Sequence, residues 1–138
     1  MSILKFVIES LTNKSNKQTK FTISTSISLD IIHLTHLGLE NYTHILDNFS
    51  VIHAFKKHGN AQKEVLRGQI AIEIIDFQHI QIIISEYDEI IYGQMNDTGN
   101  RLIKYVKAIE GVNYFYVVEI RTGRKEFAMQ TFYKRHKK

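Results

Sequence analysis

The chain has 138 residues, a formal net charge of +4, and neither cysteine nor tryptophan. That length fits one domain over 1–138 with a core that needs no cross-links, and the missing cysteines exclude disulfides and thiolate metal sites while leaving the compartment open. No apolar run approaches the roughly 20 residues of a membrane span, and the N-terminus lacks a charged region leading into an apolar signal core, so a soluble protein is expected. Charge is uneven: from Arg121 to Lys138 seven Lys or Arg face Glu126 alone, a local balance of +6. A solvated tail Lys134–Lys138 and a polyanion-binding end explain this run equally well.

In chain order, Ile3 to Glu9 alternates weakly and reads as an edge strand, and Thr12 to Lys20 as a polar loop. Phe21 to Ile27 alternates as a strand. Asp30 is placed to cap a helix with Ile31, Leu34 and Leu37 at helical spacing, ended by Gly38. Tyr42 to Leu46 is too short to assign. Asp47 or Asn48 can cap a helix whose Phe49, Ile52 and Phe55 line one face, with Gly59 as a left-handed terminator. Asn60 can cap Ala61 to Arg67, closed by Gly68, before a brief extended piece over Ile70 to Glu73. Asp76 opens a segment in which Ile80, Ile83 and Ile84 mark a buried helical stripe; the run Ile80–Ile84 is also compatible with a strand, and the helix is favoured.

After Tyr87 come four strands, Glu89–Met95, Arg101–Ile109, Val112–Arg121 and Lys125–Arg135, separated by Asn96–Asn100, Glu110–Gly111 and Thr122–Gly123. The expected fold class is α+β, with N-terminal helices packed on one face of a four-stranded antiparallel sheet. At the last turn a two-residue loop would oppose Arg121 to Arg124 and Glu119 to Glu126; a four-residue loop pairs Arg121 with Glu126 and avoids both repulsions. Alternation then gives Leu102, Val106, Ala108, Phe115, Val117, Ala128 and Phe132 to the helix-packed face. The opposite face receives Tyr105, Lys107, Tyr114, Tyr116, Thr131 and Tyr133, a wet surface suited to stacking bases. Val118, Ile120, Phe127 and Met129 fall on that second face too, and favour its burial instead.

The chemistry centres on Ser50–Gly59, which carries two histidines and two lysines. Imidazoles move protons near neutral pH and fixed cations hold a phosphate, a combination that suits phosphodiester cleavage without a metal. His53 and Lys57 are neighbours at i, i+4. The bland alternatives are a surface histidine for His53 and a helix-dipole partner for His58. Metal ligation by this pair is disfavoured, since five positions apart they share no helix face. His33 and His36 flank an apolar stripe and read as structural.

The block His53-Ala54-Phe55-Lys56-Lys57-His58-Gly59, then Leu66-Arg67-Gly68-Gln69-Ile70, Asp76-Phe77, Val118–Lys125 and Thr131-Phe132-Tyr133-Lys134 resembles the phage-associated nuclease domains grouped with barnase, EndoU, the tRNA-cleaving colicins and RelE. The resemblance covers about residues 39–134. It implies helices followed by a four-stranded antiparallel sheet, and a metal-independent, toxin-type ribonuclease that needs no cofactor. RNA, tRNA among the candidates, is the implied partner, with a cognate immunity protein and a cytoplasmic site of action. Attack by a ribose 2′-hydroxyl would leave a 2′,3′-cyclic phosphate. The implied catalytic set is His53 as base, Arg121 and Lys57 as phosphorane-stabilising cations, Thr131 on a non-bridging oxygen and His58 as acid. Lys56, Arg67, Arg124, Tyr133 and Lys134 are the implied substrate contacts. The alternative is a catalytically silent RNA-binding or phage accessory module, or a structural protein, for which His53 is dispensable.

Overall fold

A computed structural model describes residues 1–24 and 28–137. The expected Thr25–Ile27 end of the first strand and Lys138 lie outside the described residues. The N-terminal segment is a helix, α1 (Ile3–Asn13), and not an edge strand. Ser2 caps it by accepting from the Lys5 amide at 3.1 Å, and Phe6, Val7 and Ser10 are buried. Read at helical period, Ile3, Phe6, Val7 and Leu11 form one stripe, which outweighs the weak alternation.

Strand β1 (Lys20–Ser24) leads to α2 (Leu29–Thr35) and β2 (Thr43–Asp47). The cap of α2 is Ser28, which accepts from Ile31 N at 3.3 Å; Asp30 instead receives the Tyr87 hydroxyl at 2.9 Å. His36, in the left-handed region at φ 56°, ends this helix ahead of Gly38. Helices α3 (Asn48–His58) and α4 (Ala61–Leu66) start at Asp47 and Asn60, each accepting from the amide three residues on. Gly59 is not left-handed: its φ is −93°, and a Cβ there would sit 2.5 Å from the Phe55 carbonyl oxygen. Glycine is required at that position by close approach, not by handedness. A 3-10 turn, Ile74–His79, runs into α5 (Ile80–Ser85), which buries Ile80, Ile83 and Ile84 as expected.

The remaining strands are β3 (Glu89–Met95), β4 (Arg101–Ile109), β5 (Val112–Arg121) and β6 (Glu126–His136). They form the antiparallel meander read from the turns. The sheet is nonetheless six-stranded and mixed, in the order β1-β2-β6-β5-β4-β3, because β2 pairs parallel with β6 and β1 antiparallel with β2. The four-stranded expectation missed β2 because four of its five residues are buried, leaving no polar alternation to mark it.

Arg121 does pair with Glu126, so the longer loop is present. Between Val117 and Val118, however, the register shifts: Val118 faces Met129 and Val117 faces Thr131, which leaves Gln130 as an extra residue. A bulge of one residue exchanges faces for everything beyond it. Phe132 therefore joins Tyr116, and Tyr133 joins Phe115. The helix-packed core contains Ile103, Tyr105, Tyr114, Tyr116, Val118, Ile120, Phe127, Met129 and Phe132. Tyr105, Tyr114 and Tyr116, expected on a wet face, are buried because the helices cover the side they share with Val118, Ile120, Phe127 and Met129. Leu102, Val106, Ala108, Phe115, Val117 and Ala128, expected on the helix-packed face, lie on the other. Tyr114 donates to Asp76 at 3.0 Å and Tyr105 pairs with His44 at 2.9 Å, so two of the three buried hydroxyls are satisfied. Burial, reinforced by Asp76, pushes the Tyr114 phenol up, and burial does the same to Tyr105.

Candidate active site

Helix α3 lies against β6. Its buried side carries Val51, Ala54 and His58, whereas Phe49 and His53 are exposed. Phe49, His53 and Lys57 recur every four residues, a step of about 6 Å along the axis, and so form one stripe. This corrects the expectation that Phe49 belongs to the core face: it is 44% exposed. The stripe forms one wall of a groove over the non-core face of the sheet. At one end His53 and Lys57 face Lys104, Thr131 and Tyr133 across the floor. In the middle His53 and Gln130 continue beside Asp47, Phe49, Glu119 and Arg121. At the far end Phe49 and Arg121 adjoin Gln18, Asn100 and Arg124. His53 and Thr131, 78 positions apart in the chain, therefore line one cavity.

Three carboxylates enclose Arg121. Its Nε donates to Glu119 at 2.5 Å, one terminal nitrogen approaches Asp47 at 3.4 Å, and the other lies 3.8 Å from Glu126. Burial disfavours the cation, but Glu119 and Asp47 outweigh it and hold the guanidinium above its ordinary pKa. Its charge is largely compensated before any substrate arrives. Asn96 extends the network: its amide donates to Glu119 at 2.6 Å and to Gln130 at 3.1 Å, while its carbonyl oxygen accepts from the Thr98 and Asn100 amides at 3.2 and 2.9 Å. One side chain thereby ties the β3–β4 turn to the bulge.

Thr131 contrasts with Arg121. Its Oγ1 is buried and has no hydrogen-bond partner among the described residues, an unmet donor whose cost a ligand oxygen would relieve on reaching it. The Tyr133 ring is stacked on Phe115 at 4.8 Å on one side and on His58 at 5.3 Å on the other. Enclosed in this way, it supplies an edge and a hydroxyl to the groove and no free platform for a base. The Lys104 ammonium lies 5.8 Å from the centre of the same ring, opposite Lys57.

Several expected site residues are elsewhere. His58 is buried, its Nδ1 3.1 Å from the fully buried Glu64, which also receives Arg67 at 2.8 Å. Burial is the largest influence on the His58 pKa and lowers it; Glu64 raises it, Lys57 and Arg67 lower it, and the net is downward. Its place is structural, as is that of Arg67, which also donates to the Lys57 carbonyl at 2.6 Å. Lys134 points to the core side, where it meets Asp76 at 2.8 Å; the bulge puts it there. Lys56 is exposed on α3, off the groove-facing stripe. Lys104, Gln130, Asn96 and Phe49 are groove residues that the sequence did not single out. The i, i+4 spacing of Phe49 to His53 was the available signal for Phe49; Asn96 reads only as a turn residue. Among the described residues no group of three or more His, Asp or Glu could hold a metal ion, and no helix is long and apolar enough to cross a membrane.

Against known families, residues 23–138 match the model described as phage-Barnase-EndoU-ColicinE5/D-RelE like nuclease3. No curated protein and no solved structure matches the chain.

Proposed function

The chain belongs to the phage-Barnase-EndoU-ColicinE5/D-RelE like nuclease3 family, which implies a nucleic-acid substrate, and on that premise we propose that it is a metal-independent, toxin-type endoribonuclease. The observation that carries this reading is the groove shared by an exposed imidazole, His53, two ammonium groups, Lys57 and Lys104, and the Thr131 hydroxyl, which has no partner among the described residues. His53 takes the proton of a ribose 2′-hydroxyl; the 2′-oxygen bonds to phosphorus, the bond to the 5′-oxygen breaks, and a 2′,3′-cyclic phosphate remains. The leaving 5′-oxygen takes its proton from water in the open groove, since His58 is buried away from it. Lys57 and Lys104 hold the charge that grows on the phosphorane, and Thr131 donates to a non-bridging oxygen. Arg121 acts as a positioning residue that fixes Asp47 and Glu119 beside His53. Single-stranded RNA fits this groove, tRNA loops being the first targets to test, and an immunity protein would cover it.

One observation favours the second reading, a catalytically silent RNA-binding module: the arginine nearest the groove centre is already compensated by carboxylates. Total RNA incubated with the protein and a chelator separates the two. We expect cut ends carrying 2′,3′-cyclic phosphate, and a loss of roughly a hundredfold or more in rate for His53→Ala. Cleavage that needs an added divalent ion, or that survives in His53→Ala, would refute the mechanism.

A further inference from the structure

We infer that the Phe49 end of the groove is a nucleobase subsite, taking the base of a nucleotide that flanks the scissile linkage. The inference rests on the ribonuclease reading and adds to it a place where sequence is read. Four observations converge. Phe49 is a phenyl ring 44% exposed to water, although the helix bearing it has a core-facing side that buries Val51 and Ala54 completely. It lies one helical turn from His53 on the same stripe, so a base against it would be held about one nucleotide from the reacting phosphate. Arg124 and the side-chain amides of Gln18 and Asn100 surround the same cavity. Tyr133, the other aromatic of the groove, is already stacked on both sides.

The chemistry of these groups suits a base better than a phosphate or a hydrophobic peptide. An exposed ring offers a π-face on which any base can stack. Gln18 and Asn100 each offer a donor and an acceptor for a Watson–Crick edge. Both are partly restrained: Gln18 donates to Asp47 at 3.4 Å and accepts from Arg124 at 3.5 Å, while Asn100 donates to Glu119 at 3.4 Å. These long bonds anchor the amides at the cavity wall and are weak enough to be exchanged for a ligand's. Asp47 and Glu119 at the inner boundary repel a second phosphate from this end, whereas Lys57 and Lys104 attract one at the other. The groove is therefore polarised, with phosphate at the Tyr133 end and base at the Phe49 end.

The test uses the full chain and a fluorescein-labelled tetranucleotide with 2′-deoxy sugars, which lacks the attacking hydroxyl, beside an abasic counterpart carrying the same phosphates. Anisotropy titrations give Kd for both probes. Wild type is expected to bind the base-bearing probe at least about tenfold more tightly than the abasic one, the size expected for one stacked base. Phe49→Ala should remove most of that gap without changing the abasic Kd, and Phe49→Trp should keep it. A gap unchanged in Phe49→Ala, or absent from wild type, would overturn the subsite. If His53-dependent cleavage of total RNA persists in that case, only the subsite fails. If wild type neither binds the probes nor cuts RNA, the ribonuclease reading fails with it.

Discussion

The two faces of the β4–β5–β6 sheet are built from similar residues and have opposite fates. On the core side Tyr105, Tyr114 and Tyr116 are fully or almost fully buried; Asp76 satisfies the Tyr114 hydroxyl and His44 that of Tyr105, while that of Tyr116 has no partner among the described residues. On the groove side Thr131 and Tyr133 stay partly accessible, and Thr131 Oγ1 has no partner among the described residues. The lesson is that residue type does not assign a face. Location and satisfaction together do: the Tyr116 and Thr131 hydroxyls both lack a partner among the described residues, but Tyr116 is sealed in the core whereas Thr131 lines a cavity from which a ligand can supply one. The same contrast separates the two histidines of α3. His58 is committed to Glu64, whereas His53 opens on the groove.

The largest test of this contrast is a double substitution that exchanges Thr131 and Phe132. With Gln130 as the extra residue of the bulge, Val117 faces Thr131 and Tyr116 faces Phe132, so Thr131 lies on the groove side and Phe132 in the core. Thr131→Phe with Phe132→Thr puts a hydroxyl in the core and a phenyl ring on the groove wall. Losing a fully buried Phe from the core costs about 3–5 kcal/mol, and the misplaced hydroxyl adds to that, against a total stability of about 5–15 kcal/mol. The expected outcome is loss, or a large downward shift, of the cooperative thermal transition by circular dichroism. A double variant with the melting temperature of the parent would mean that the pairing beyond Gln130 does not fix these faces.

That bulge also marks the limit of what could be read from the sequence. The meander was legible because its three turns are written in Asn, Asp, Gly and Thr, and the last register because like charges disqualified the alternative. Gln130 carries no such mark: glutamine is neither a turn former nor a breaker, so the face exchange beyond it was silent. β2 was hidden by burial, and α1 by reading Ile3–Glu9 at the wrong period. At the site, His53, Lys57, Arg121 and Thr131 are legible as candidates in the sequence, and all four line the groove. Lys104 is not legible, because alternation groups it with Leu102, Val106 and Val117 on the face expected to meet the helices. Lys134 is turned to the core side by the bulge, and His58 is tied to a glutamate six residues on, Glu64, which gives no pattern of pairing until α4 folds back.

The core side also predicts a pH effect. Burial pushes the His44 imidazole from its ordinary 6.5 down to about 4, and its Nδ1 has no partner among the described residues. Between these values the unfolded chain binds a proton that the folded chain refuses, so stability should fall as pH drops from 6.5 towards 4 and be independent of this group above 6.5. The full effect is on the order of 3 kcal/mol. His44→Gln, which can still reach the Tyr105 hydroxyl, should flatten the acid limb of a plot of denaturation free energy against pH. If that limb keeps its slope, other groups govern acid stability.

The smallest effects come from removing one hydroxyl on each side. Thr131→Val preserves shape and deletes the Oγ1 proposed to hold a phosphate oxygen, so catalytic efficiency should fall about tenfold to a hundredfold, with stability changed by no more than about 0.5 kcal/mol. Tyr116→Phe deletes the one core hydroxyl of the tyrosine trio that lacks a partner among the described residues. Removing an unsatisfied buried donor relieves a desolvation penalty, so the variant should be neutral or more stable by up to about 1 kcal/mol, with activity unchanged. The two substitutions therefore have opposite signatures, one in rate without stability and one in stability without rate. Equal loss of stability in both would show that Thr131 belongs to the core in all but location, and its assignment to substrate would fall.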